Sequence, residues 1–381
     1  MKQGWEMKTI GDVCKSASSN ISQNKLANDE GIYPIFGASG LIKNVSFYHR
    51  DKPYLSIVKD GSGVGRVTKM EAFTSVIGTL QYLLPNEDID LDYLNYTLMS
   101  VDFKKYVAGA AIPHIYFKDY KNEPFLWMPL KEQQRIVSIL DEAFTAIDKA
   151  KANTEQNLKN AKELFESELQ RVFSEKNDGW DEKRLGDITL KIGSGATPKG
   201  GNASYKTEGI SLIRSMNVHD LKFKKKNLAF IDDIQGRALK NVTIEEGDVL
   251  LNITGASVAR CCLIPKEIIP ARVNQHVSII RPKNEILNSR FLNFLLTSKF
   301  YKDQLLLTGD QGATRQAITK VQLENFFICF PKTIKEQQNI VSKLDALREQ
   351  TKKLEAFYTQ KLQDLEELKK SVLQKAFSGE F

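Results

Sequence analysis

The strongest constraint on the fold is that the chain contains one pattern twice. The sequence KEQQRIVSILD begins at Lys131 and KEQQNIVSKLD begins at Lys335, and the closing sequences LQRVFS and LQKAFS follow at equal distances, so both features recur 204 residues apart. A second pair, GWEMKTIGDV from Gly4 and GWDEKRLGDI from Gly179, recurs 175 residues apart. We interpret the chain as two copies of one unit, a globular domain followed by a long helix. Such an internal pseudo-dimer suits a ligand that itself has two halves.

The bulk composition predicts a cytoplasmic protein of two or three domains. The chain has 381 residues, of which 41% are hydrophobic and 27% are charged, and this length favours that number of domains. No run of about 18 apolar residues is present, and the start, MKQGWEMK, lacks the apolar core of a secretory signal. The four cysteines show no metal-ligand spacing, and the adjacent Cys261 and Cys262 cannot form a disulfide without severe strain. We therefore expect reduced thiols and no membrane span.

The net charge of +7 is unevenly distributed along the chain. Residues 1–128 contain 14 basic and 14 acidic side chains, whereas residues 175–330 contain 23 basic and 17 acidic side chains. Most of the positive excess therefore belongs to the second block. An excess of this size permits nucleic-acid binding but does not require it.

Both repeated stretches predict coiled-coil helices. Apolar residues recur at alternating spacings of three and four, as at Leu140, Phe144 and Ile147, which is the pattern of a coiled-coil seam. Neither stretch contains Gly or Pro between its opening and closing sequences, so each helix should be roughly 60 Å long. A generic dimerisation coil is one interpretation. The equal lengths favour the other, in which the two helices pack antiparallel and hold two domains apart.

The rest of the chain predicts two α+β domains. Each block has short β-rich runs followed by one amphipathic helix, at Leu91–Val107 and at Ser289–Leu306, with Asp90 and Asn288 as N-caps. The β-rich runs are Tyr33–Phe36, Tyr54–Val58, Val76–Leu84, Ile210–Arg214, Val249–Thr254 and His276–Ile280. The predicted division is a globular domain at 1–128, a helix at 129–174, a second globular domain at 175–330 and a C-terminal helix at 331–381.

Together these motifs resemble the DNA-specificity subunit of a type I restriction–modification system. The resemblance covers essentially the whole chain and depends on the KEQQxIVxxLD helix openings, the FSE and FSG closings, GSGATPKG with ISLIRSMNV, YPIFGASG, and the GAAIPHI and GATRQAI loops. It implies two target-recognition domains that each read one half of a bipartite DNA sequence, with the helix pair setting the distance between the halves. The two domains resemble different subtypes, so the half-sites are expected to differ.

The resemblance also implies partners and the absence of catalysis in this chain. Two methyltransferase subunits would dock on the helices, and restriction subunits would join them. S-adenosylmethionine, ATP and Mg are expected on those partner subunits, with no cofactor in this chain. The docking residues implied are Glu132, Gln133, Gln134, Glu336, Gln337 and Gln338. From the residues alone, these helix openings are equally well explained as N-terminal turns favoured by the helix dipole.

Polar side chains and glycine-rich loops are the candidates for DNA contact. Arg, Asn, Gln, Lys, Ser and Thr can read base edges, and glycine-rich loops bring backbone N–H groups close to phosphates. In the first block the candidates are Ser39, Lys59, Gly61, Ser62, Gly63, Arg66, Thr79 and Gln81. In the second block they are Gly195, Thr197, Lys199, Arg214, Asn217, Lys224, Lys225, Asn252, Thr254, Ser257, Arg260, Gln275 and Arg315. An ordinary turn or surface role is the alternative for each.

The sequence contains no recognised catalytic motif. It has no P-loop, no FxGxG followed by an acidic residue, no NPPY- or DPPY-type tetrapeptide of adenine methyltransferases, no HExxH and no GxSxG. The four histidines are scattered, so no metal site is predicted. Two other classes of protein stay open, a free-standing DNA-binding regulator and a coiled-coil scaffold.

Overall fold

The computed structural model describes residues 4–109, 111–174, 179–309 and 316–380. The chain forms two compact units. Unit 1 consists of Met1–Gln156 with Tyr358–Phe381, and unit 2 consists of Asn157–Phe357. Both boundaries fall inside the long helices, so each unit contains one globular block and a part of each helix. The division into four successive segments stays a prediction from the sequence.

The helices and strands are numbered in chain order. The helices are α1 (Ile10–Val13), α2 (Leu91–Ser100), α3 (Phe117–Tyr120), α4 (Leu130–Ser174), α5 (Asp233–Ala238), α6 (Ser289–Thr297), α7 (Lys299–Gly309), α8 (Lys320–Glu324) and α9 (Ile334–Phe377). The strands of unit 1 are β1 (Glu6–Thr9), β2 (Cys14–Ser18), β3 (Tyr33–Gly37), β4 (Gly40–Val45), β5 (Tyr54–Val58), β6 (Val67–Met70), β7 (Ser75–Val76), β8 (Leu80–Pro85) and β9 (Pro124–Trp127). The strands of unit 2 are β10 (Trp180–Arg184), β11 (Thr189–Ser194), β12 (Ile210–Ile213), β13 (Val218–His219), β14 (Lys222–Phe223), β15 (Ala229–Ile231), β16 (Val249–Asn252), β17 (Cys261–Leu263), β18 (Ala271–Val273), β19 (Val277–Pro282) and β20 (Phe327–Pro331).

The two units have the same strand order although their sequences differ. Unit 1 has a four-stranded antiparallel sheet, β2-β8-β5-β6, a three-stranded sheet, β4-β3-β7, and a ribbon, β1-β9. The corresponding elements of unit 2 are the four-stranded sheet β11-β19-β16-β17, the three-stranded sheet β15-β12-β18 and the ribbon β10-β20. The pairs β3-β7 and β12-β18 are both parallel. The hairpin β13-β14 has no counterpart among the residues of unit 1 that the structure describes, so it is an insertion in a shared α+β topology.

The amphipathic helices are shorter than the sequence predicted. Asp90 and Asn288 are N-caps, as predicted, and each accepts hydrogen bonds from two backbone N–H groups of the first turn. However, α2 ends at Ser100, and a 3-10 turn follows in which Asp102 accepts from the N–H of Lys104. The second predicted helix breaks at Ser298, whose backbone is extended and whose buried hydroxyl donates to the carbonyl of Leu295. In both places a short polar side chain bonds to nearby backbone and competes with the helix.

In each unit the segments of α4 and α9 share the core of the globular block. In unit 1, Leu140 and Phe144 of α4 lie in one buried cluster with Leu373 and Ala376 of α9. Lys369 Nζ lies 3.1 Å from Asp148 Oδ1, and Lys151 pairs with Glu366, so the two segments run in opposite directions here. In unit 2, Leu169 and Phe173 of α4 lie in one buried cluster with Val341 and Leu344 of α9.

Candidate nucleic-acid interface

In unit 1 the predicted DNA-contacting residues lie together where strands of the four-stranded sheet end. We call this place, at the ends of the strands, the edge of the sheet. Because the strands are antiparallel, the end of β5, the start of β6 and the start of β8 all lie at this edge. The loop 59–66 connects β5 to β6, and Thr79 directly precedes β8. Arg66 donates to the carbonyl of Ala38, which brings the β3–β4 turn and its exposed Ser39 to the same place. Gln81 lies one residue into β8 and pairs with Ile57 and Ser18.

In unit 2 the corresponding edge carries a chain of side-chain hydrogen bonds. The hydroxyl of Thr197, which follows β11, bonds to Gln275 Oε1. Gln275 Nε2 lies 3.1 Å from Nε2 of His276, and Nδ1 of His276 lies 2.6 Å from Thr254 Oγ1. The three loops at this edge, which follow β11, precede β19 and follow β16, are thereby joined. Lys199 is exposed two residues beyond Thr197.

The β5–β6 loop of unit 1 and the β16–β17 loop of unit 2 have the same backbone hydrogen bonds. The N–H of Gly65 donates to Val58 (2.9 Å), and the N–H of Ala259 donates to Asn252 (2.9 Å). The bonds Val58→Arg66, Val64→Gly61 and Arg66→Gly63 recur as Asn252→Arg260, Val258→Gly255 and Arg260→Ser257. Each residue of the first loop lies 194 positions before its equivalent in the second loop. The sequences KDGSGVGR and ITGASVAR therefore form the same loop in the two units. We call them the matched loops, residues 59–66 and 253–260.

The matched loops are also anchored to the same neighbours. The N–H of Gly61 donates to Pro113, and the N–H of Gly255 donates to Gln316. Each loop is thus tied to the small-residue segment that precedes the long helix. Gly61 and Gly255 both have a positive φ, of 91° and 74°, a backbone conformation that glycine adopts without strain. At Gly65 a side chain would also collide with Phe103, because a Cβ there would lie 2.6 Å from the Cβ of Phe103.

Two of the predicted DNA-contacting residues are buried and form hydrogen bonds within their own unit. Asn217 is fully buried, accepts from the N–H of Arg214 at 3.1 Å and donates to the carbonyl of Lys224 at 2.9 Å. Asn252 is fully buried and donates to the carbonyl of Ser215 at 3.0 Å and to Ser257 Oγ at 3.1 Å. Both amides fasten loops together from below the surface. Arg315 lies outside the described residues.

The remaining candidates of unit 2 lie near this edge or beside the inserted hairpin. Arg214 donates to the carbonyl of Asn227 at 2.5 Å and lies 5.3 Å from the ring centroid of Tyr205. Lys224 and Lys225 are exposed, and Lys225 forms an ion pair with Glu267 at 2.9 Å. Burial and then the charge of Lys224 lower the pKa of His219. In unit 2, Gly195 packs so closely that a Cβ on it would lie 1.9 Å from the carbonyl oxygen of Val273.

Two of the predicted partner-docking residues are also buried. Gln133 accepts from the N–H of Asp90 at 2.8 Å and donates to the carbonyls of Asp88 and Met128. Gln337 repeats this arrangement in unit 2. It accepts from the N–H of Asn288 at 2.8 Å and donates to the carbonyls of Ile286 and Pro331 at 2.9 Å. These glutamines fix each helix start to the amphipathic helix of its own block, so their side chains are already engaged within their own unit. Their neighbours Gln134 and Gln338 are exposed.

Two residues at these sheet edges, and the equivalence of the matched loops, were not among the predictions from the sequence. Asp60 lies in the first loop, and His276 lies at the centre of the hydrogen-bonded chain in unit 2. The signal that could have found the equivalence is a G-x-x-V-x-R pattern, which occurs once in each block. Among the described residues, no group of His, Cys, Asp and Glu side chains is arranged to hold a metal ion. No described helix has the length and apolar character that a membrane crossing requires.

Comparison with known proteins finds one family. The family model for the type I restriction modification DNA specificity domain matches residues 2–160 and 177–367. The type I restriction enzyme EcoBI specificity subunit of Escherichia coli is 26% identical over 298 residues, which cover 72% of this chain and 61% of that protein, so the match spans less than two thirds of this relative. The MjaVIII specificity subunit of Methanocaldococcus jannaschii is 25% identical over 378 residues, covering 91% of this chain and 86% of that protein.

Two solved structures share the fold. One is a chain from a study of the structural basis of complex assembly and conformational transition of the type I R-M system, with a TM-score of 0.73, 19% identity and coverage of 99% of this chain and 98% of the other. The second is the HsdS subunit from Thermoanaerobacter tengcongensis, with a TM-score of 0.61, 19% identity and coverage of 100% and 98%.

Proposed function

The chain belongs to the type I restriction modification DNA specificity family, and we propose that each of its two units reads one half of a bipartite DNA target. The relatives are specificity subunits of type I restriction enzymes. We infer that this chain likewise acts in DNA recognition and has no catalytic role of its own.

The observation that carries the proposal is the pair of matched loops at equivalent sheet edges. A single backbone framework recurs in both units, and the polar side chains on it differ between them. Identical backbone with different side chains is what two readers of different half-sites require, because base edges are distinguished by side-chain donors and acceptors. The basic excess of the second block supports an anionic ligand as well.

At each edge we assign phosphate contacts to backbone N–H groups and, in unit 2, to Lys224 and Lys225, and base contacts to the other polar and basic side chains. Backbone N–H groups beside Gly61, Gly63 and Gly195 would approach phosphates. The exposed Lys224 and Lys225 would add charge to that contact. The base-reading candidates that stay are Ser39, Lys59, Ser62, Arg66, Thr79, Gln81, Thr197, Lys199, Arg214, Thr254, Ser257, Arg260 and Gln275, with Lys224 and Lys225 as phosphate contacts.

We assign the spacing of the half-sites to α4 and α9, as an antiparallel coiled-coil spacer. Half-sites one helical turn of DNA apart present the same face, about 34 Å from each other. A pair of long helices continuous between two recognition domains can set such a distance. The ion pairs between Asp148 and Lys369 and between Lys151 and Glu366 support the antiparallel arrangement.

The same helices are proposed to dock two methyltransferase subunits, which restriction subunits then join. Glu132, Gln134, Glu336 and Gln338 are the candidates that remain at the helix openings. S-adenosylmethionine, ATP and Mg would be bound by those partner subunits.

The proposal is tested by expressing this chain with its methyltransferase subunit in a host and mapping methylated adenines across the genome. We expect one motif with two specified parts separated by unspecified bases, which disappears when the chain is deleted. A continuous motif, or a motif that persists after deletion, would contradict the proposal. Tight sequence-selective binding by the chain alone, without any methylation, would favour a free-standing regulator instead.

A further inference from the structure

The matched loops single out one position in each unit, directly before the shared glycine. We propose that Asp60 in unit 1 and Thr254 in unit 2 are specificity-determining residues that each read a base in their own half-site. The proposal rests on the proposed function and deepens it, because it names which side chains make the two half-sites different. Neither the sequence repeat nor the family comparison distinguishes this position.

Backbone hydrogen bonds hold this position in the same way in both units. On one side, the N–H of Lys59 donates to Thr79 at 3.0 Å, and the N–H of Ile253 donates to His276 at 3.0 Å. On the other side, the glycine N–H donates to the small-residue segment at 2.8 Å in unit 1 and 3.2 Å in unit 2. Bonds on both flanks leave the residue between them little freedom. The side chains of Asp60 and Thr254 are therefore attached at equivalent backbone positions of the edge.

The chemistry at this point differs between the units. The Asp60 side chain is 38% exposed, and Lys59 Nζ lies 3.6 Å from its carboxylate. An ionised carboxylate can only accept hydrogen bonds, so it selects bases that present an amino group, the N4 of cytosine or the N6 of adenine in the major groove. Unit 1 is thereby assigned an amino-bearing base at the position that Asp60 contacts.

In unit 2 the hydrogen-bonded chain fixes Thr254 as a donor. The Thr197 hydroxyl donates to Gln275 Oε1, so the amide nitrogen of Gln275 donates to Nε2 of His276. This network assigns the ring proton to Nδ1 of His276, which then donates to Thr254 Oγ1 at 2.6 Å. The hydroxyl proton of Thr254 is left to donate outward. It selects bases that present a carbonyl acceptor, O6 of guanine or O4 of thymine.

Isosteric substitutions separate this role from a role in folding. We would reconstitute the chain with its methyltransferase subunit, map the methylated motif for Asp60→Asn and Thr254→Val, and measure affinity for targets changed at single base pairs. Asp60→Asn is expected to reduce discrimination about 5-fold to 100-fold at one base pair of one half-site, because the amide can also donate. Thr254→Val is expected to do the same in the other half-site only. Asp51→Asn and Thr207→Val, exposed residues outside the matched loops, are the controls.

The outcomes distinguish this inference from the proposed function. A wild-type motif that is not bipartite would overturn both. A bipartite wild-type motif that stays unchanged in both variants, or changes equally in the controls, would overturn the inference alone. Thermal unfolding checks that the variants fold. If one does not, the reciprocal exchanges Asp60→Thr and Thr254→Asp test the same point, since each should move its half-site preference toward that of the other unit, and an unmoved preference would count against the proposal.

Discussion

At the scale of single residues, the repeated KEQQ opening is explained by one glutamine in each copy. Gln133 and Gln337 each link the start of a long helix to the N-cap of the neighbouring helix. The amide oxygen accepts one hydrogen bond and the amide nitrogen donates the others. An amide is suited to this place because it offers an acceptor and two donors. The duplication of this residue therefore reflects the attachment of a helix to a domain.

Replacing Gln133 with Ala should lower the free energy of unfolding by about 2–3 kcal/mol, because it leaves the N–H of Asp90 and two carbonyls without their buried partner. Urea unfolding followed by circular dichroism measures the change. Gln134→Ala is the matched control, since its side chain is exposed, and it should leave the unfolding midpoint nearly unchanged. Equal effects of the two substitutions would contradict this account.

The cysteines give a second prediction at this scale. Burial raises the pKa of the Cys14 thiol from 9.0 to about 12, and burial likewise raises the pKa of Cys262 to about 12. Unfolded thiols ionise near pH 9 while the folded ones stay protonated, so this contribution to stability is present below pH 9 and is lost as the pH rises from 9 toward 12. We expect the urea concentration at the midpoint of unfolding to decrease as the pH is raised from 8 to 10.5. An unchanged midpoint would show that the thiols do not contribute.

Labelling gives an independent check of the same burial. At pH 8, iodoacetamide should modify Cys329, which is partly exposed, and leave Cys14, Cys261 and Cys262 unmodified until urea is added. Mass spectrometry of the peptides reports each site. Rapid labelling of a buried thiol in the native chain would argue against the packing described for its unit.

At the scale of elements, the four-stranded sheet of unit 2 is held at its far end by a buried ion pair. Arg281 in β19 donates to both oxygens of Asp248, at 2.7 and 2.8 Å, and Asp248 directly precedes β16. Asp248 is fully buried, whereas the Arg281 side chain is 17% exposed. The hydrogen bonds with Asp248 are the main cause that raises the pKa of Arg281. The pair thus joins the two central strands of the sheet.

Asp248→Ala should lower the free energy of unfolding of unit 2 by about 3 kcal/mol, because it leaves most of a guanidinium buried without its main partner. Glu245→Ala is the control. Glu245 pairs with the same arginine, but its side chain is 61% exposed, so its loss should cost below about 1 kcal/mol. Chemical denaturation of both variants distinguishes the cases, and a larger effect of Glu245→Ala would reverse the assignment.

At the scale of the whole molecule, the long helices are shared between the two units. We predict that inserting four residues into both helices, near Lys151 and near Glu355, lengthens the unspecified spacer of the DNA target by about two base pairs, since each inserted residue adds about 1.5 Å of helix. The sequences of the half-sites should stay the same. Methylation mapping of the variant reports both quantities, and insertion in one helix alone is the control, because it misaligns the seam. An unchanged spacer length would show that the helices do not set the distance between the half-sites.

Much of this organisation follows from the sequence, and the parts that do not have physical reasons. The repeat and the 3–4 apolar spacing predicted the long helices, and Asp90 and Asn288 were recognisable caps. The break at Ser298 was not predictable from apolar periodicity, because the pattern continues through it. Which polar candidates lie together depends on strand pairing, which the sequence did not predict. Asn217 and Asn252 could not be separated from exposed residues, since a buried amide can equally well bond to backbone.

The matched loops were hidden for a related reason. Backbone hydrogen bonds define them, and these are nearly independent of side-chain identity, so KDGSGVGR and ITGASVAR look unlike each other when compared as residues. Three shared positions, such as the closing arginines Arg66 and Arg260, carry the correspondence. The pairing of the flanking strands turns this short pattern into a structural equivalence.

The division of the chain also sets the order in which its parts can be completed during synthesis. Unit 2 is one uninterrupted stretch, 157–357, whereas unit 1 needs both the first 156 residues and the last segment from Tyr358. Leu373 and Ala376 are buried in the core of unit 1. While the ribosome is still translating the tail, the block made first lacks these side chains, and the block made second already has every residue of its own. Unit 1, whose synthesis starts first, is therefore the unit that is completed last.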